Sequence, residues 1–199
     1  MNGAQCCFSF TAAHLWPKKL VLGLLERLLT RGLLAYANTP VETISRSQDD
    51  AGFWTVRTRR GNVRAQKVIF ATNGYTASIL PQYASKIVPV RGVCSHIVSP
   101  KGSKSPHLPN TYSLRFGGAN YDYLIPRPDG SIVVGGARQT FIHDRDRWFN
   151  SVKDNEKMSR ESDKYFDGYM QRHFRGWENS GAITKRVWTG GMYLILLPP

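Results

Sequence analysis

The chain has 199 residues, 41% of them hydrophobic and 12% aromatic, which is enough to bury a core and argues against general disorder. It carries 27 Lys and Arg against 14 Asp and Glu, a net charge of +13, but the basic residues are scattered. They are densest at Arg57-Arg59-Arg60 and Arg145-Arg147, with no basic helix, zinc spacing or RNA-binding aromatic signature, so a specific nucleic-acid reader is disfavoured.

Two readings of the charge stay open: a solvated positive shell, or a basic surface for an acidic partner. The three cysteines (Cys6, Cys7, Cys94) form no disulfide framework and no ligand set with the five histidines, which fits a reducing compartment. The apolar stretch from Leu20 to Leu34 is broken by Glu26, Arg27 and Arg31, so it is too short to span a membrane. The start lacks a signal-peptide pattern. These features together predict a cytoplasmic chain.

Pro17 suits the first turn of a helix, and Leu20, Leu24, Leu28 with Val21, Leu25 and Leu29 recur at helical spacing. The expected product is a core-packing helix ended by Gly32. Strands follow. Leu33–Tyr36 is a short apolar run, and Val41–Ile44 and Phe53–Thr58 alternate around a turn at Asp49–Gly52. Val63–Ala71 ends in Val68-Ile69-Phe70-Ala71, apolar enough to be buried on both faces. This predicts a three-stranded meander returning into a parallel-type strand.

That strand stops at Thr72-Asn73-Gly74, and a helix is expected from Tyr75 to Leu80. Strand, glycine turn and helix present backbone N–H groups to an anion, although the same shape occurs in sheets that bind nothing. Ile87–Val98 reads as a long strand whose Pro89 favours an edge or a bulge. Residues 99–110 read as loop. Tyr121–Pro126 and Ser131–Gly136 flank Arg127-Pro128-Asp129-Gly130, a hairpin signal. A charged surface helix with spaced aromatics is expected within 151–175, and a last strand from Ile183 to Thr189.

Several of these pieces stand in a family order: Ala71-Thr72-Asn73-Gly74-Tyr75-Thr76, Val88-Pro89-Val90-Arg91-Gly92, Tyr123–Gly130, Gly135-Gly136-Ala137-Arg138 and Val187-Trp188-Thr189-Gly190. The chain resembles the D-amino-acid oxidase, glycine oxidase and sarcosine oxidase superfamily of FAD-dependent oxidoreductases. The resemblance implies an α+β fold: part of an α/β flavin-binding domain joined to a largely antiparallel substrate-domain sheet with helices. It divides the chain into 1–32 (substrate-domain helix), 33–80 (partial FAD-binding domain) and 81–199 (substrate domain). It also implies hydride transfer from the C–N bond of a small-molecule amine or amino acid to FAD, with the cofactor carrying the chemistry.

Carried over by position, the residues expected at FAD are Val41, Ala71, Thr72, Asn73 and Gly74, the glycine because a missing Cβ lets backbone approach a ligand. Their bland reading is core for Val41 and turn for Gly74. Tyr121, Tyr123 and His14 are the candidate substrate contacts. The tyrosines are equally ordinary sheet residues, and a lone histidine such as His14 beside Trp16 is more often structural than catalytic. No catalytic residue and no metal site can be named.

Two departures from the family pattern stand out. None of the 18 glycines falls in a G-x-G-x-x-G, the sequence that cradles a dinucleotide pyrophosphate. The segment after Trp188-Thr189-Gly190 carries Met192 where several family oxidases have a carboxylate-binding arginine. The chain is therefore expected to be a truncated member that holds FAD weakly and is impaired as an enzyme. The rival expectation is a non-catalytic basic interaction protein built on the same fold.

Overall fold

The computed structural model describes residues 3–103, 105–118, 120–152 and 156–195. Helix α1 (Pro17–Leu29) begins where Pro17 supplies a fixed φ at no hydrogen-bond cost, and it ends through Thr30 and the left-handed Gly32. It does not pack into a core. None of its residues is buried, and Leu20, Val21, Leu22, Leu24, Leu28 and Leu29 are all about half exposed.

The expected meander is present as β1 (Val41–Ile44), β2 (Trp54–Thr58) and β3 (Gly61–Ala65) in a three-stranded antiparallel sheet of order β1-β2-β3. Asp49 shapes the first turn by accepting from the N–H groups of Ala51 and Phe53, and Arg64 pairs with its carboxylate. The parallel-type strand does not form. The chain leaves β3 at Ala65 and runs irregularly through Val68-Ile69-Phe70-Ala71, with Ile69 90% exposed. An extended segment becomes a strand only when a neighbour accepts its ladder of hydrogen bonds. Among the described residues no strand lies beside it. Leu33–Tyr36 is likewise not a strand.

A 3-10 turn (Asn73–Tyr75) and the short helix α2 (Thr76–Ile79) lead into the larger sheet. Its strands are β4 (Ile87–Val98), β5 (Tyr112–Arg115), β6 (Tyr121–Pro126), β7 (Ile132–Gly136) and β8 (Ile183–Ile195), all antiparallel, in the order β5-β6-β7-β4-β8. Pro89 fits this arrangement. β7 pairs only with Val93–Ile97, so on that side the first half of β4 makes just one isolated bridge, from Val90 to Phe149, while β8 pairs with its whole length. The β6–β7 turn closes as expected, with Asp129 accepting from the Ser131 N–H at 3.0 Å and Gly130 at φ 80°. β8 runs well past the predicted Thr189, pairing with β4 as far as Ile195.

One face of this sheet carries the core. The region expected to be a surface helix forms α4 (Glu156–Phe166) and α5 (Tyr169–His173), and its aromatics point inward. Met158, Ser162 and Phe166 recur every four residues along α4, all buried, and with Tyr169, Met170, Phe174 and Trp177 they cover Val93, Ile97, Leu124, Ile132 and Val134. A short helix α3 (Arg145–Trp148) lies before α4. The accessible surface is 14798 Å² for 22.4 kDa, whereas a compact monomer of that mass exposes about 9,400 Å². Much apolar surface therefore faces outward, on α1, on Ile69 and Phe70, and on Met192–Ile195.

Candidate functional site

The face of the large sheet opposite α4 and α5 is open. Alternation along β6 sends Asp122 and Leu124, both 0% exposed, toward the helices and leaves Tyr121 (43%) and Tyr123 (39%) on the open side. Register places Tyr123 opposite Gly135, Gly135 opposite Cys94, and Cys94 opposite Trp188. One row of the open face thus reads tyrosine, glycine, thiol and tryptophan.

The two adjacent glycines of β7 explain how this row is built. A Cβ on Gly135 would fall 2.1 Å from Cζ of Tyr123, so the tyrosine ring lies flat across the glycine and brings its hydroxyl 3.1 Å from the Cys94 sulfur. A Cβ on Gly136 would fall 2.0 Å from Oδ1 of Asp122 on the other face, and Gly136 has φ 139°. The Asp122 carboxylate accepts from the Ala137 N–H at 2.9 Å, the Tyr165 hydroxyl at 2.5 Å and the Tyr169 hydroxyl at 2.8 Å. Gly135 therefore seats the open-face tyrosine, and Gly136 seats the carboxylate that fastens α4 and α5 to the sheet.

Burial raises the pKa of Tyr123 well above the usual tyrosine range, and the neighbouring Cys94 adds to the shift. Burial likewise pushes the Cys94 thiol up, with the hydrogen bond it shares with Tyr123 opposing the shift. Both groups are therefore neutral near pH 7. Two residues along β4, His96 meets Arg127, with Nη1 and Nε2 3.3 Å apart. Burial lowers the His96 value first, and the Arg127 charge lowers it further. The Arg127 guanidinium also lies 4.4 Å from the centre of the Trp16 ring, a cation–π contact that anchors the start of α1 to this end of the face.

Tyr121 and Tyr123 stand together on the open face, as their spacing on β6 implies. His14 is exposed in the irregular segment before α1. Sequence reasoning did not find Cys94, Trp188, His96 or Arg127. The alternation of Cys94 and His96 along a predicted strand was the available signal, but their partners lie on strands distant in sequence.

Val41 lies in the small sheet opposite Thr58, and Ala71 is exposed at the end of the irregular run. The turn from Thr72 to Gly74 is closed on itself. The Gly74 N–H donates to Oδ1 of Asn73 at 2.7 Å, the Tyr75 N–H donates to the Thr72 carbonyl at 2.9 Å, and the Thr76 hydroxyl donates to the Asn73 carbonyl at 2.7 Å. The space a Gly74 side chain would fill is taken by protein: an added Cβ would sit 3.1 Å from Cβ of Pro89 and 3.2 Å from the Met192 carbonyl oxygen. The missing Cβ thus admits β4 and β8. Between the small sheet and this segment lies a cleft of about 570 Å³, lined by Ile44, Trp54, Val68, Phe70, Ile79 and Leu80 among others. The Ser45 hydroxyl there already accepts from the Thr55 N–H. The cleft is mixed in character, since Thr43, Arg46 and Gln82 also line it, and at the turn the Gly74 N–H, the one closest to the filled glycine gap, is already taken by Asn73. With its glycine gap filled by Pro89 and Met192, the Thr72–Gly74 turn does not fit the close backbone approach that a dinucleotide diphosphate makes.

Among the described residues there is no metal-ligating cluster and no helix long and apolar enough to cross a membrane. Comparison with solved structures gives glycine oxidase from Geobacillus kaustophilus at a TM-score of 0.61 and 17% identity, covering 90% of this chain and 43% of that one. NikD, an unusual amino acid oxidase essential for nikkomycin biosynthesis, matches at 0.59 and 15%, covering 89% of this chain and 44% of NikD. A probable oxidoreductase, OrdL of Rhizobium meliloti (strain 1021), is 27% identical over 134 residues, 67% of this chain and 30% of the relative. The chain spans less than half the length of each of these relatives. The family model described as FAD dependent oxidoreductase matches residues 2–197, nearly end to end, and the chain therefore belongs to that family.

Proposed function

We propose that this chain is the substrate-side portion of an FAD-dependent oxidoreductase acting on the C–N bond of an amine or amino acid, and that its 199 residues alone hold FAD weakly. The observation that carries the first half is the open row of Tyr123, Cys94 and Trp188, which the fold keeps clear of the helices covering the other face. A wall of aromatic rings with neutral hydroxyl and thiol groups suits an uncharged amine and the carbon beside it. Tyr121 extends the wall, and His96 with Arg127 gives it a polar end where a carboxylate could rest. The observation behind the second half is the Thr72–Gly74 turn, whose glycine N–H is taken by Asn73 and whose glycine gap is filled by Pro89 and Met192.

The roles of Val41, Ala71, Thr72, Asn73 and Gly74 then reduce to shaping the protein beside the cofactor. The experiment is an NMR titration of the chain with glycine, N-methylglycine and a simple alkylamine. Shifts confined to Tyr121, Tyr123, Cys94 and Trp188, and weakened by Tyr123→Ala, support the reading. Shifts that map elsewhere, or that Tyr123→Ala leaves alone, contradict it.

A further inference from the structure

Two side-chain pairs lie on the open face, and each joins a residue of β6 or its turn to a residue of β4. The Tyr123 hydroxyl meets the Cys94 sulfur at 3.1 Å, and Nη1 of Arg127 meets Nε2 of His96 at 3.3 Å. Cys94 and His96 are two positions apart on one strand, so the pairs are separated by about 7 Å along it. The row through His96 continues into Val133 and Ile125, which adds apolar surface beside the second pair.

The second pair is built to hold an acceptor. An arginine N–H only donates, so Nε2 of His96 accepts and Nδ1 carries the ring proton as a further donor. Asp129 covers only Nη2 of Arg127, at 3.4 Å, and is itself 57% exposed and held by the N–H and hydroxyl of Ser131. Lys19 adds a second positive charge, over the same Trp16 ring that Arg127 covers. Lys185 and Arg186 share a different cleft with Glu156, Asp163 and Asp167 of α4, which offset them there. Two cations against one carboxylate, with N–H groups to spare, suit a carboxylate ligand.

Resting on the substrate-side reading above, we infer that the substrate is an ω-amino acid: its amine meets Tyr123 and Cys94, and its carboxylate, three or four methylenes away, meets Arg127 and His96. The face is approached from above, so the hydrogen bonds run upright and add little reach along the strand. An α-amino acid holds its nitrogen about 2.5 Å from its carboxyl carbon and falls short of one pair or the other. Each further methylene adds about 1.2 Å, so three or four methylenes give about 5–6 Å, and the carboxylate oxygens reach about 1 Å beyond that. The methylenes then lie along the face toward Ile125 and Val133.

The test is an NMR titration of the chain with glycine, β-alanine, γ-aminobutyrate, δ-aminovalerate and pentylamine. Affinity should rise about tenfold from glycine to γ-aminobutyrate or δ-aminovalerate, and pentylamine, which lacks the carboxylate, should bind about tenfold more weakly than the better acid. Arg127→Gln should erase the preference for the acid over pentylamine. His96→Leu, which leaves Arg127 on Trp16, should reduce it, each variant being checked for a cooperative melt. Glycine binding as tightly as the longer acids, or a preference that survives both variants, overturns this inference and leaves the substrate wall standing. Failure of all five compounds to shift Tyr123 and Cys94 overturns both.

Discussion

Gly136 and Asp122 compete for one space: the carboxylate oxygen sits 2.0 Å from where a Cβ on the glycine would lie. The Asp122 carboxylate gathers two tyrosine hydroxyls and a backbone N–H in a site with no exposure. Gly136→Ala must therefore push out the carboxylate or distort a backbone held at φ 139°. We expect it to cost about 3 kcal/mol or more in urea denaturation, because it combines overpacking with backbone strain and a broken network. A loss under about 1 kcal/mol would show that the network is peripheral to the fold.

The same network sets the response to alkali. Burial raises the Tyr165 and Tyr169 values above the ordinary 10.0, and the Asp122 carboxylate raises both further. In the unfolded chain these hydroxyls ionise near their ordinary value, so above about pH 10 the unfolded state binds fewer protons than the native one. The stability they contribute is full below that pH and falls as the pH rises beyond it. Denaturation free energy measured from pH 8 to 11 should decline at the alkaline end, and Tyr169→Phe should flatten the decline. An equal slope in the variant would contradict the assignment.

Much of the fold is legible in the sequence where its causes are local. The β1–β2–β3 meander follows from alternation and from Asp49 and Gly52, the β6–β7 hairpin from Asp129-Gly130, and α1 from Pro17 and the leucine spacing. What is illegible depends on distant partners. Val68–Ala71 reads as a buried strand because its composition is that of one, yet a strand needs a neighbour that these residues do not include. Tyr165 and Tyr169 read as surface aromatics because Asp122, more than forty positions earlier, is what draws them in. Tyr121 and Tyr123 could be placed on one face from β6 alone, whereas Cys94 and Trp188 join them only through the register of β4 and β8.

Gly74 offers a direct test of what a small residue is for. A larger side chain there meets Pro89 and the Met192 carbonyl, both part of paired strands. Gly74→Val should destabilise the chain by about 1–3 kcal/mol, read as a lowered denaturation midpoint. An unchanged midpoint would mean that the glycine serves a ligand rather than the β4–β8 contact.

Helix α1 should tolerate truncation that the core does not. Leu24 is 49% exposed and Leu124 is 0% exposed. Leu24→Ala is expected to change stability by about 0.5 kcal/mol or less, and Leu124→Ala by about 2–5 kcal/mol. Comparable losses in denaturant melts would place α1 against a surface in solution.

Thiol reactivity reports on the open face. Cys6 and Cys7 are exposed, while the Cys94 thiol is raised by burial and held by Tyr123. Only the thiolate reacts, so a thiol reagent at pH 8 should label two cysteines quickly and Cys94 at least about tenfold more slowly. Cys94 labelling at the rate of the other two would remove the tyrosine–thiol pair from the row.

The central claim is that a member of an FAD-dependent family carries, in these 199 residues, the substrate side of the fold without the means to grip the cofactor. Titrating the purified chain with FAD and following flavin fluorescence and visible absorbance tests it most directly. We predict chain that purifies without stoichiometric flavin and shows no saturation up to about 100 μM FAD, where a site of even modest affinity would fill. A yellow protein with one FAD per chain, or saturable binding in the low micromolar range, would contradict the account.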